Sequence, residues 1–173
     1  NIHNLKTKIS KIDDLKKNKI EIDNLEKEIT LFHAKVVKEI LKLTDKKIDF
    51  VGFHGQTIYH NPLKKVSIQV GNGNLLSQLT KKIVIFNFRQ NDIKNGGQGA
   101  PLTPIFHKQI VQKIKIELPV CILNIGGISN ITFVDNYDEK KIYSRDLGPG
   151  NCLIDEWIRK STKDKFDKNG EIA

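Results

Sequence analysis

The sequence predicts an α/β fold, and three observations carry that prediction. Between Ile48 and Lys115, short apolar runs of strand type alternate with segments whose apolar residues recur at helical spacing. Apolar residues make up 38% and charged residues 28% of the 173-residue chain, enough to pack a core in one domain or two small lobes. Glycines and polar side chains also gather where the strands end, which is where open α/β sheets bind ligands.

The elements follow in order. Residues 1–19 are polar and lysine-rich and are expected to be ordered only in part. From Ile22, the residues Leu25, Ile29, Phe32, Val36, Ile40 and Leu43 mark one face of an amphipathic helix that Thr44-Asp45 ends. His33 lies beside that face and reads as a packed or rim residue. Ile48 to His54 reads as a buried strand, and Ile58 to His60 as a short return strand broken by Asn61-Pro62. Val66 to Val70 alternates apolar and polar residues and reads as a half-buried strand. A helix from Asn74 to Lys81 carries Leu75, Leu76 and Leu79, and a strand from Ile83 to Phe88 follows. Leu102 to Lys115 is a helix expected to pack back on this sheet.

After Pro119 the pattern changes to strands at Val120–Ile125, Ser129–Val134 and Lys141–Ser144, with an acidic turn around Asp135–Glu139 before the last. A helix from Cys152 to about Lys160 closes the pattern. The expected organisation is therefore a first lobe over 20–117 and the start of a second over 118–173.

Composition narrows the function classes. No run of about 18 apolar residues predicts a membrane span, and the first residues lack the apolar core of a secretory signal. The net charge of +9 comes from lysines scattered among acidic residues, with 7% aromatics, so a solvated surface is expected rather than a nucleic-acid stripe. Cys121 and Cys152 show no metal or redox spacing and are expected to be reduced, buried thiols of a cytoplasmic protein. The start at Asn1 and the stop at Ala173 suggest a piece of something longer.

The stretch with most chemistry is F-R-Q-N-D-I-K-N-G-G-Q-G-A-P-L-T-P, residues 88–104. It reads as a loop at a strand-to-helix junction, offering a cation, a carboxylate and free glycine N–H groups, with Pro101 opening the next helix. Asp92 is the candidate general base; a turn or cap role is the alternative. Arg89 would hold a ligand oxygen, or pair with Asp92. His54, Gln56 and Thr57 form a second polar cluster suited to sugar hydroxyls, or a hairpin turn whose side chains satisfy one another. The hairpin N-I-G-G-I-S-N (124–130) is either a phosphate cradle or a structural turn. It fits neither the Walker A nor the dinucleotide glycine pattern. Gly148-Pro149-Gly150-Asn151 before a helix is a third candidate, with capping by Asn151 as its alternative.

Taken together, these motifs resemble the anhydro-N-acetylmuramic acid kinases. The likeness rests on H-G-Q-T-I-Y-H (54–60), the 88–104 stretch, L-N-I-G-G-I-S-N-I-T (123–132) and D-L-G-P-G-N (146–151), and it extends from about Ile20 to the end. It implies a partial actin/hexokinase/Hsp70-like (ribonuclease-H-like) ATPase fold. The implied reaction is ATP-dependent phosphorylation of 1,6-anhydro-N-acetylmuramic acid with opening of the anhydro ring, with Mg²⁺ as the companion ion and no residue assigned to it. Asp92 matches the catalytic aspartate, which deprotonates the attacking water. His54, Gln56, Thr57, Arg89 and Gln98 would contact the sugar. Asn124, Gly126, Gly127, Asn130, Gly148 and Gly150 would hold nucleotide phosphates. The partners implied are the anhydro-sugar and ATP, with a homodimer for the full-length protein and no nucleic acid or membrane. The chain departs from the family in lacking a first phosphate loop and most of the second lobe. It also carries Asn72 for Asp, Lys94 for a small residue and Leu147 for Thr. The alternative is a non-catalytic, sugar-binding remnant of such a kinase.

Overall fold

Apolar spacing builds the longest element, helix α3 (Lys19–Lys42), which buries Leu25, Thr30 and Ala34. The computed structural model describes residues 2–136 and 142–172. These divide into two units, Asn1–Ala100 and Pro101–Ala173.

In the first unit, α1 (Ile2–Lys8) and α2 (Ile12–Lys17) precede α3. Residues 1–19 therefore differ from the expected loose segment. Leu5 and Ile9 are buried with Leu25, Ile58, Tyr59 and Val70, and that apolar contact orders the start of the chain. Asp14 reinforces the turn into α2. Its carboxylate accepts the N–H groups of Ser10 (3.1 Å) and Lys11 (3.0 Å), and the bonds from the Lys11 and Ser10 backbone hold its pKa below the usual carboxylate value. Leu5→Ala is expected to cost about 2–5 kcal/mol, the range for truncating a fully buried leucine. Urea unfolding of the variant measures this, and a change under about 0.5 kcal/mol would restore the loose-segment reading.

β1 (Phe50–Phe53) pairs in parallel with β4 (Ile83–Phe86). β2 (Gln56–Asn61) and β3 (Val66–Val70) form an antiparallel hairpin. α4 (Gly73–Thr80) lies between β3 and β4 in sequence. The strand expected to be buried is covered on one face only. Phe53, Val84 and Phe86 pack with Ala34 and Leu76, whereas Phe50 and Ile83 remain 60% and 69% exposed. His33 sits against this core as a packed residue: its ring centroid is 5.1 Å from that of Phe53, and Nδ1 donates to the Ile29 carbonyl at 2.7 Å.

β4 does not run on to Phe88. Asn87 adopts left-handed φ 61° and turns the chain into a short helix, α5 (Phe88–Lys94). Asparagine tolerates that conformation better than most side chains. The next helix, α6 (Thr103–Lys113), starts later than Pro101 and has Pro104 in its first turn.

α6 belongs to the second unit, because Val111 is fully buried there and His107 Nδ1 hydrogen-bonds Thr132 Oγ1 at 2.8 Å. The unit boundary thus falls at Ala100/Pro101, ahead of the expected 117. β5 (Val120–Ile125), β6 (Ile128–Val134) and β7 (Ile142–Pro149) form an antiparallel meander, and α7 (Cys152–Ser161) follows. β7 is longer than expected and takes in Gly148 and Pro149. The expected start of that strand at Lys141 and most of the acidic turn lie outside the described residues. No helix among the described residues is long and apolar enough to cross a membrane.

Candidate active site

Asp92 lies in the last turn of α5, and the glycines after it close that helix. Gly96, at φ +92°, donates its N–H to the Ile93 carbonyl at 3.1 Å, and Gly97 donates to the Asp92 carbonyl at 2.9 Å. This pair of bonds is a Schellman motif, with Gly96 in the position where a side chain is strained. Gly99 then donates to Asp92 Oδ2 at 2.7 Å. The expected row of free glycine N–H groups is therefore not present: Gly96, Gly97 and Gly99 all spend theirs on α5 and its aspartate. The reason is the intervening helix, whose open C-terminal carbonyls capture the Gly96 and Gly97 donors while the Asp92 carboxylate takes that of Gly99.

One carboxylate oxygen of Asp92 is held, and Oδ1 accepts no hydrogen bond among the described residues. The residue is half-buried. A Cβ on Gly97 would overlap the Asp92 carboxyl group, so only glycine lets the backbone pass this close.

Arg89, one turn earlier, does not pair with Asp92. Its Nε donates to His54 Nε2 at 2.9 Å and its Nη1 to the Gly99 carbonyl at 2.7 Å. The structure thus brings His54, Arg89 and Asp92 together around Gly99. Gln56 and Gln98 are exposed, and their side chains make no hydrogen bond among the described residues. Thr57 Oγ1 accepts a long bond of 3.4 Å from Gln69.

In the second unit, Asn124 and Asn130 are paired across β5 and β6 beside the Gly126-Gly127 turn. Neither glycine has a positive φ. A Cβ would meet nothing within 4 Å at Gly127, and only the Ile128 carbonyl oxygen at 3.7 Å at Gly126. Their N–H groups donate to no backbone carbonyl among the described residues. The local fold leaves open space and free donors there, the requirements of an anion cradle.

Gly148 and Gly150 differ. Gly148 pairs with Ser129 in the ladder. The N–H groups of Gly150 and Asn151 donate to the carbonyls of Gly127 (2.9 Å) and Gly126 (2.7 Å). These amides dock α7 on the hairpin and are not open to a ligand. Asn151 makes no side-chain cap bond.

A family model described as Anhydro-N-acetylmuramic acid kinase matches residues 2–173. The chain belongs to this family. It is 57% identical to an anhydro-N-acetylmuramic acid kinase of Pelagibacter ubique (strain HTCC1062) over its whole length, which is 46% of that protein. A Rhizobium etli relative of the same name is 41% identical over 88% of the chain and 42% of the relative. One from Nitrobacter winogradskyi is 36% identical over 84% and 40%. The chain therefore spans less than half the length of these curated relatives.

Asn72 and Lys94, two of the expected departures, each have a local role. Asn72 caps α4, its Oδ1 accepting from the Leu75 N–H at 2.9 Å, a task asparagine and aspartate share. Lys94 lies in the last turn of α5, where a cation suits the helix dipole. Nothing in the structure explains Leu147.

The sequence reading missed Gly97 and Gly99 as individual positions. Their signal was the spacing of the glycines behind Asp92, visible but read as open amides. It also missed His60, whose Nδ1 hydrogen-bonds Ser67 Oγ at 3.0 Å. His60 is exposed as a whole, but partial desolvation of its ring first, and the Arg89 charge second, push its pKa below the usual 6.5. The folded state then prefers the neutral ring, so the stability from this group is present above about pH 6.5 and is lost as pH falls below it. Melting at about pH 7.5 and about pH 5.5 should show a larger drop for wild type than for His60→Gln. Equal drops would remove His60 from the account.

Proposed function

We propose that the chain provides the sugar-activating and phosphate-holding parts of an ATP-dependent kinase for 1,6-anhydro-N-acetylmuramic acid. The product is N-acetylmuramic acid 6-phosphate. Asp92 supports this reading most directly: Gly99 fixes one of its oxygens and the other is left to take a proton.

The chemistry assigned to Asp92 Oδ1 is proton removal from a water that attacks the anomeric carbon. The new C1–O bond forms as the C1–O6 bond of the anhydro bridge breaks, and O6 takes the phosphoryl group while ADP leaves. ATP, when bound, supplies the γ-phosphoryl group. Such transfers depend on alignment and charge neutralisation more than on covalent help from the protein. The Gly126-Gly127 turn fits a phosphate, because its amides donate to no backbone carbonyl among the described residues and a Cβ at Gly127 would occupy open space. Among the described residues no group of three or more His, Cys, Asp or Glu side chains forms a metal-ligand set. Mg²⁺ would arrive with the nucleotide and would offset charge on its phosphates. Gln56, Thr57 and Gln98 would contact sugar hydroxyls. ATP as donor places the reaction in the cytoplasm.

Calorimetry of this chain with the anhydro-sugar should show binding. ADP release should depend on the sugar in a protein of the relatives' full length carrying these residues. Sugar binding without ADP release in that protein would support the non-catalytic reading, and no binding of either substrate would overturn both.

A further inference from the structure

We propose that His54 and Arg89 are positioning residues that aim the Asp92 carboxylate, rather than contacts to the sugar. This rests on the reading of Asp92 as the base.

His54 has two ring nitrogens, and both are committed. Arginine only donates, so His54 Nε2, 2.9 Å from Arg89 Nε, must carry a lone pair. The proton therefore sits on Nδ1, which donates to the Gly55 carbonyl at 3.0 Å. Nothing on the ring remains to meet a hydroxyl. The bond to His54 in turn sets the plane of the Arg89 guanidinium, and its Nη1 grips the Gly99 carbonyl at 2.7 Å. Gly99 passes the constraint on, because its own N–H holds Asp92 Oδ2 at 2.7 Å.

The chain of contacts therefore runs from the end of β1 through α5 to the base. It joins His54 and Arg89, which are 35 positions apart. Routing the cation through Gly99 has a chemical consequence. A direct Arg89–Asp92 pair would occupy the oxygen that has to accept the proton, and this arrangement holds the carboxylate while leaving Oδ1 open. A lysine cannot reproduce it, because it lacks the planar fork that reaches two acceptors at fixed angles.

The test uses the chain itself, observed by NMR with wild type, Arg89→Lys, Arg89→Ala and His54→Ala. In wild type the His54 ¹⁵N shifts should report a proton on Nδ1 and a bare Nε2. In Arg89→Ala the Gly99 amide should exchange with solvent roughly 10-fold faster or more, and the Asp92 ¹³Cγ resonance should move, while signals from α3 and the β5–β7 sheet stay in place. Arg89→Lys should restore less than half of that change. Calorimetry with anhydro-N-acetylmuramic acid should show affinity altered by less than about 3-fold in His54→Ala, since no hydrogen bond to the sugar is lost.

An unmoved Asp92 ¹³Cγ signal in Arg89→Ala would overturn the proposal. So would a loss of sugar affinity of about 10-fold or more in His54→Ala with the Gly99 amide unchanged, which would make the histidine a ligand contact. If wild type binds no sugar while the Gly99 and Asp92 signals respond as described, the substrate reading fails and the positioning network stands.

Discussion

Asp92→Asn is expected to reduce turnover by about 10²–10⁴, the usual contribution of a positioned general base, with sugar affinity retained. The amide keeps the size of the carboxylate and can still accept the Gly99 N–H through its oxygen, so the loop should hold. What it cannot do is take a proton from water. The assay is ADP release in a protein of the relatives' full length carrying these residues, with calorimetry to confirm that the sugar still binds; unchanged turnover would refute the base assignment. Gly97→Ala should produce a similar loss from a position with no chemistry of its own. The added methyl group would have to displace the carboxylate it overlaps, or the backbone would have to leave the Schellman geometry that closes α5. A displacement of about 1 Å is enough to cost roughly 10²-fold in a site that works by alignment.

The second large effect separates the glycines of the second unit. Gly150→Ala should destabilise the chain by roughly 2–3 kcal/mol in urea unfolding, the upper part of the range for an ordinary core mutation. A Cβ there overlaps the Gly126 carbonyl oxygen and crowds Ser129 Oγ at 2.8 Å. Relief would pull the start of α7 off the hairpin and break the bonds from Gly150 and Asn151. Gly127→Ala should leave stability within about 0.5 kcal/mol, because its Cβ meets open space. In a protein of the relatives' full length the same substitution should weaken ATP binding about 10-fold or more, because the added methyl group would fill the space a phosphate needs to reach the amide, and one charge-assisted hydrogen bond is worth about that much. If Gly127→Ala instead unfolds the unit and leaves nucleotide affinity unchanged, the hairpin is a structural turn.

Much of this molecule was legible before any coordinates. Periodicity located α3 within a few residues at either end. The apolar runs at Val120–Ile125 and Ser129–Val134, with two glycines between them, gave β5 and β6 to within a residue. The motifs pointed to the family that the comparisons then showed. These signals are local: a helix face or a strand hairpin is written in residues close together, and its pattern survives without knowing what covers it.

Other features were decided only in three dimensions. α5 is seven residues long, too short for an apolar period to declare itself, and it starts from a left-handed asparagine that no pattern requires. Leu5 and Ile9 looked like strays in a polar segment until Leu25 and Tyr59 closed over them. α6 has an apolar face either unit could have claimed, and burial of Val111 with the His107–Thr132 bond settled the matter. Above all, the partner of Arg89 was open between a ligand and Asp92, and turned out to be His54 together with Gly99. Sequence determines which groups are present and how each short segment prefers to bend. Which donor meets which acceptor depends on where distant segments come to rest, because a hydrogen bond reaches about 3 Å and the chain between its ends can be any length.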